Sequence, residues 1–250
     1  MENASSEERD KEAADLCERE AELAMYMEQS PPRLREAVQM FLAGERRPSP
    51  APPLQRPTFM YYPELSAKPW HDPEDFSFTT VLSQHWHVIL QEYETLQKGS
   101  EERIVIPSSN YGGEWSAFNL WKEGVKQEKT CALAPITTRL LEEMPEFMQQ
   151  CALGYAYFSV VKSGTRITPH FGPANVKLRC HLGLKASPDC KLIVAKESRT
   201  WEEGQCLVFD DSFVHEVIHQ GTEDRVVLLV DVWHPELTEP ERKAVSRFLR

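Results

Sequence analysis

The chain has 250 residues, 41% of them apolar and 10% aromatic, which suits one sizeable globular domain with an appendage. Its formal net charge of -11 argues against non-specific adhesion to nucleic acid or an anionic membrane, and leaves room for a local basic cleft. No run approaches the roughly 20 apolar residues that cross a bilayer, and the acidic start MENASSEERD is not that of a signal peptide, so a cytoplasmic chain without a transmembrane segment is expected.

Residues 1–29 are rich in Glu and Ala, with Leu16, Leu23 and Met27 at helical spacing, and predict a first helix. Ser30-Pro31-Pro32 breaks it. A second short helix follows, with proline in its first turn, Leu34, Val38, Phe41 and Leu42 on one face, and Gly44 as its stop. The stretch RRPSPAPPLQRP, residues 46–57, carries five prolines and predicts an extended linker. The expected division is therefore a helical segment and linker over 1–57 and a main domain over 58–250.

Beyond the linker, Leu82, Trp86, Ile89, Tyr93 and Leu96 predict an amphipathic helix over 80–97. Leu140, Leu141, Met144, Phe147 and Met148 predict another over 137–149, bent or shortened by Pro145. From Tyr155 the pattern turns to β. YAYFSVVK, VKLRCHLGL, CKLIVAK, QCLVF, FVHEVIH and RVVLLVDVW are short β-branched and aromatic runs separated by turn formers, which indicates a sandwich or barrel. The six cysteines form no CxxC and no zinc-finger spacing, so free, buried thiols are expected.

One strand is unusual. In VKLRCHLGL, period-2 alternation puts Lys177, Arg179, His181 and Gly183 on one face, which either meets solvent or lines a cavity suited to anions. His170 lies just before it, His215 some dozens of residues later, and Arg225 opens the next apolar strand. Two histidines on separate strands, then an arginine, is the order found in 2-oxoglutarate oxygenases. Neutral imidazoles suit Fe(II), and a guanidinium offers a fixed fork to the far carboxylate of the co-substrate. Spacing alone also allows satisfied core or surface histidines and an ordinary strand-edge arginine.

Longer stretches are more specific. PHFGPANVKLRCHLGL, TWEEGQCLVFDDSFVHEV and RVVLLVDVWHPEL resemble the aspartyl/asparaginyl β-hydroxylase family, and the likeness extends more loosely back through GEWSAFNLW to YYPEL, roughly residues 58–240. The resemblance implies a mainly β fold with flanking helices, a double-stranded β-helix of the jelly-roll or cupin kind. It implies Fe(II) and 2-oxoglutarate as cofactors and an Asp or Asn of a protein or peptide as substrate. His170 and His215 match the iron ligands. Gly172 stands where related oxygenases carry Asp or Glu, so water would complete the coordination. Arg225 matches the partner of the distal carboxylate of 2-oxoglutarate, Ser159 and His181 match further co-substrate contacts, and Arg179 and Trp115 match substrate-side residues.

Near Trp115 the hydroxylases of epidermal-growth-factor-like domains carry an arginine and a glutamine, where this chain has Asn110 and Ala117. Two other readings therefore stand beside the hydroxylase: a catalytically silent binding protein with the same fold, and a hydroxylase of a non-protein acyl substrate. Relatives acting on extracellular domains work in the endoplasmic reticulum, which makes a membrane-anchored longer form there the alternative to a cytoplasmic one. Asp210-Asp211 is expected to be a turn pair orienting the His215 strand, Trp201 a packing residue, His219 a rim residue and His234 structural. The sequence leaves the oligomeric state open.

Overall fold

A computed structural model of the protein describes residues 28–45, 52–99, 101–106 and 111–249. The first expected helix lies outside these residues, apart from 28 and 29, and so does Asn110. In chain order the elements are α1 (Pro32–Leu42), β1 (Trp70–His71), α2 (Ser77–Gln84), α3 (Trp86–Gly99), β2 (Ile104–Val105), β3 (Tyr111–Gly112), β4 (Trp115–Lys122) and β5 (Val125–Lys126). They continue with α4 (Glu128–Leu133), α5 (Pro135–Glu142), β6 (Ala156–Val161), β7 (Arg166–His170), β8 (Lys177–Lys185), β9 (Cys190–Val194) and β10 (Glu197–Thr200). The last four are β11 (Cys206–Phe209), β12 (His215–His219), β13 (Arg225–Trp233) and α6 (Glu239–Phe248).

The strands form two facing sheets, and the ladders among the described residues are antiparallel. An eight-stranded sheet runs β1-β11-β8-β13-β6-β4-β2, with β5 beside β4, and a five-stranded sheet runs β10-β9-β12-β7-β3. This is the mainly β, double-stranded β-helix architecture that the resemblance implies. Alternation divides each central strand between two cores. On β13, Val226, Leu228, Val230 and Val232 face a helix-covered core with Leu82, Ile89, Tyr93, Leu96 and Leu141. Val227 and Leu229 face the space between the sheets, with Phe209, Phe213, Val217 and Trp201. Burial on both faces explains why β13 reads as a continuous apolar run.

The expected helix over 80–97 is two helices. His85 N–H donates to Leu82 C=O, and the His85 ring Nδ1 donates to Val81 C=O. The His85 carbonyl then accepts from Val88 and Ile89 and opens α3. The apolar stripe survives the break because both helices lie on the same sheet. The helix expected over 137–149 ends at Glu142, before Pro145, whose ring cannot continue it. Its N-terminus is capped by a remote carboxylate: Glu92 of α3 accepts from the Ile136 and Thr137 N–H groups at 2.7 and 2.8 Å and from Thr137 Oγ1 at 2.6 Å.

A third core joins α1 to α6. Leu34, Ala37 and Val38 pack with Tyr62, Leu65, Trp233, Leu237 and Val245. The helix before the proline-rich stretch thus shares a core with the residues after it. The Cys131, Cys151, Cys180, Cys190 and Cys206 thiols are free and buried, as their lack of zinc or CxxC spacing leads one to expect. No described helix is long and apolar enough to cross a membrane.

Candidate functional site

β7 carries a proline, Pro169, inside a sheet, where a missing N–H is tolerated mainly at a bulge. The pairing with β12 shifts there: His170 lies opposite His215, whereas Ile167 lies opposite Val217. Two residues of β7 therefore oppose one of β12, and the extra one absorbs the missing donor. Directly paired residues point to the same face, so the two imidazoles meet, with ring centroids 4.1 Å apart.

Each imidazole is oriented by the chain two residues before it. His170 Nδ1 donates to Thr168 C=O and His215 Nδ1 to Phe213 C=O, both at 2.9 Å. A carbonyl only accepts, so the proton sits on Nδ1 and each Nε2 keeps its lone pair. Burial lowers the pKa of His170; burial and the neighbouring His170 hold His215 down to about 3. Two neutral imidazoles with free Nε2 atoms form a donor pair suited to a divalent transition metal.

Opposite them, the larger sheet presents Arg225 at the start of β13, Ser159 on β6, Arg179 and His181 on β8, and Trp115 on β4. Arg225 is 2% exposed and has no carboxylate partner among the described residues. Its Nη1 donates to the Ser159 carbonyl and hydroxyl at 3.4 and 3.3 Å, its guanidinium lies 4.7 Å from the Trp201 ring, and its buried Nε has no partner among the described residues. A desolvated cation without a counter-ion is costly, and burial lowers its pKa accordingly.

Ser159 Oγ accepts from Trp115 Nε1 at 3.0 Å as well as from Arg225, which leaves its own proton to donate. Trp201 Nε1 donates to His181 Nδ1 at 3.3 Å. Burial and the nearby Arg225 hold His181 neutral, so its proton is on Nε2, and that buried donor has no partner either. Phe209 lies between the two groups, with its ring 5.1 Å from His181 and 5.7 Å from His215. Cation, hydroxyl and imidazole N–H form a buried set of donors that fits a carboxylate.

The basic face of β8 lines the interior and meets acids there. Lys177 Nζ donates to Asp211 and Asp231 at 2.8 Å each, and Arg179 is bidentate to Asp231 at 2.9 and 3.2 Å. Arg179 Nη2 also lies 3.4 Å from Asp211, and 17% of its side chain stays exposed. Burial opposes the charge on Asp211, but Lys177 and Arg179 outweigh it and lower its pKa. Asp211 Oδ1 has no partner among the described residues. A side chain at Gly172 would overlap the Asp211 carboxylate. The space that an acid two residues after His170 would enter is therefore filled by Asp211, from the other histidine's loop.

The site thus brings together His170, His215, Arg225, Ser159, His181, Arg179 and Trp115. Ala117 is buried opposite Ser159 in the inter-sheet core. Asp210 makes the expected turn, its Oδ1 accepting from Ser212 N–H and Oγ, while Asp211 has the larger electrostatic part. Trp201 does more than pack, since it orders His181. His219 is buried, not on the rim, with Nε2 donating to Glu223 C=O at 2.7 Å. Alternation put Lys177 on the site face, but no local pattern marks its acid partners, Trp201 or Asp211, because those contacts come from segments distant in sequence.

The family model described as aspartyl/asparaginyl beta-hydroxylase matches residues 83–235. The chain is 38% identical over 210 residues to human "aspartate beta-hydroxylase domain-containing protein 2", covering 78% of this chain and 55% of that protein. It is 37% identical over 217 residues to human "aspartyl/asparaginyl beta-hydroxylase", covering 84% of this chain and 28% of that protein. The mouse "aspartate beta-hydroxylase domain-containing protein 1" is 33% identical over 77% of this chain and 56% of its own length. The chain spans about half the length, or less, of these relatives. The matched region runs from α2 to just past β13 and includes each strand that lines the site; by that match the chain belongs to the aspartyl/asparaginyl beta-hydroxylase family.

Proposed function

We propose that the protein is an Fe(II)- and 2-oxoglutarate-dependent oxygenase that hydroxylates the β-carbon of an Asp or Asn residue in a protein or peptide. The observation that carries this reading is the buried Arg225 guanidinium, with no acid among the described residues, a His181 N–H beside it with no partner among them, and two neutral imidazoles facing across the sheets. His170 and His215 would hold Fe(II) through Nε2. Together with 2-oxoglutarate and oxygen, the iron supplies the oxidising power for hydroxylation, with release of succinate and CO₂.

The chain's own residues bind, orient and exclude water. Arg225, Ser159 and His181 donate to the far carboxylate of the co-substrate, and the charge-assisted bonds from Arg225 are worth roughly 1.5–3 kcal/mol. The Nδ1 bonds to Thr168 and Phe213 keep both ring nitrogens that face the metal unprotonated. Asp211 Oδ1 is an acceptor suited to a water beside the histidines, at the place that a third protein ligand would take. Arg179, paired on its inner edge and part-exposed, is the cation available to a substrate carboxylate or amide.

Succinate release in the presence of Fe(II), 2-oxoglutarate and oxygen tests the assignment. His170→Ala and His215→Ala are each expected to abolish it, and peptides with Asp or Asn are expected to gain 16 mass units only with the intact protein. Retained turnover in either variant would remove the ligand assignment. Oxidation of acyl chains with no peptide modified would replace the peptide substrate.

A further inference from the structure

The proline-rich stretch ends in a segment that touches both histidine-bearing loops. Leu54 C=O accepts from Val214 N–H and Arg56 N–H donates to Ser212 C=O, both at 2.9 Å, so residues 54–56 pair with the chain just before His215. Thr58 N–H donates to Gly172 C=O at 3.0 Å, and the Phe59 and Met60 N–H groups donate to Pro173 C=O at 2.9 and 3.0 Å, just after His170. One run of seven residues therefore ties the exit of one histidine strand to the entry of the other.

Gln55 fixes the middle of this run. Its side chain is 1% exposed, and Nε2 donates to Asp210 Oδ2 and Ser212 Oγ, both at 3.0 Å. Those two groups close the turn that presents Asp211 and leads into His215. A buried amide is a poor source of stability, and here its Oε1 has no partner among the described residues. An apolar side chain of the same length would fill the space but leave the buried Asp210 Oδ2 without its Gln55 donor. What the amide adds is a fixed geometry for the 210–214 turn.

We propose that residues 54–60 are a positioning strap for the two-histidine centre, with Gln55 as the positioning residue that holds the His215 loop in register with His170. The inference rests on the reading of His170 and His215 as metal ligands. A side chain that orients ligands from outside the coordination sphere typically affects metal affinity by 10–100-fold. Coupling is reciprocal, so metal binding must in turn steady the strap.

Co(II) alone, titrated into the full chain and followed by calorimetry and visible absorption well below the melting temperature, is the probe. Gln55→Ala and the isosteric Gln55→Met are expected to weaken Co(II) binding about 10-fold or more, with secondary structure retained. In the wild-type protein, saturating Co(II) is expected to slow hydrogen exchange at the amides of Arg56, Thr58, Phe59 and Met60. If His215→Ala loses Co(II) while Gln55→Met binds as wild type and strap exchange is unmoved, the strap inference is overturned and the ligand reading stands. If His215→Ala binds as wild type, or the wild type does not bind, both fall. Should Gln55→Ala and Gln55→Met fail to fold, the exchange measurement on the wild type decides.

Discussion

Single residues at this site are arranged against the stability of the ligand-free protein. Arg225 is a buried cation among Ser159, Trp201 and Cys190 with no acid among the described residues to neutralise it. Replacing a buried charge by an apolar side chain of similar length is often neutral or stabilising. Arg225→Met is therefore expected to leave the stability of the free protein unchanged or higher by about 1–2 kcal/mol, while abolishing the rise in melting temperature on adding 2-oxoglutarate. Differential scanning calorimetry of both proteins checks this, and a large loss in the free variant would make Arg225 structural. At this scale the order His-His-Arg was legible in the sequence, as was the alternation that put Arg179 and His181 on one face. The partners were not. That Asp211 fills the space beside Gly172, and that Trp201 sets the His181 tautomer, depends on loops brought together by the sheets.

At the scale of elements, periodicity located the main β strands, and capping and bulges set their limits. Pro169 hid β7, since proline demotes a run as a strand, yet the bulge opposite Glu216 admits it. His85 divided one predicted helix without disturbing its stripe. The contact between α1 and α6 centres on Glu241, which accepts from Arg33 Nε and Nη2 at 2.7 and 2.8 Å, from Tyr62 at 3.0 Å and from Thr238 N–H and Oγ1 at 2.8 Å. Burial opposes its charge, but these bonds, led by Arg33, hold its pKa down to about 2 from the ordinary 4.5. The unfolded chain binds the proton more readily, so this stabilisation is present above about pH 4.5 and lost as pH falls towards 2. Its size is on the order of 3 kcal/mol. Glu241→Gln is expected to melt lower at pH 7 and to converge with the wild type near pH 2; parallel melting curves across that range would assign the acid sensitivity elsewhere.

For the whole molecule, three cores enclose one polar site between two sheets. Ligands that bind only the folded site must raise its stability. At a hundredfold excess over Kd, one ligand adds about 2.7 kcal/mol, which for a chain of this size is roughly 5–10 °C in Tm. Anaerobic Fe(II) with 2-oxoglutarate is expected to give such a shift, and more together than either alone; no shift would remove both from the folded interior. The sequence by itself determined the β-rich class, the candidate donors and the family, because alternation and residue chemistry are local and long motif matches are specific. Only the tertiary structure decided that the histidines share one face, that Arg225 has no acid among the described residues, and that the end of the expected linker and the residues just after it, 54–60, pair with both histidine loops. Those facts depend on register and on which strands are neighbours, and contacts between distant segments leave no local pattern in the chain.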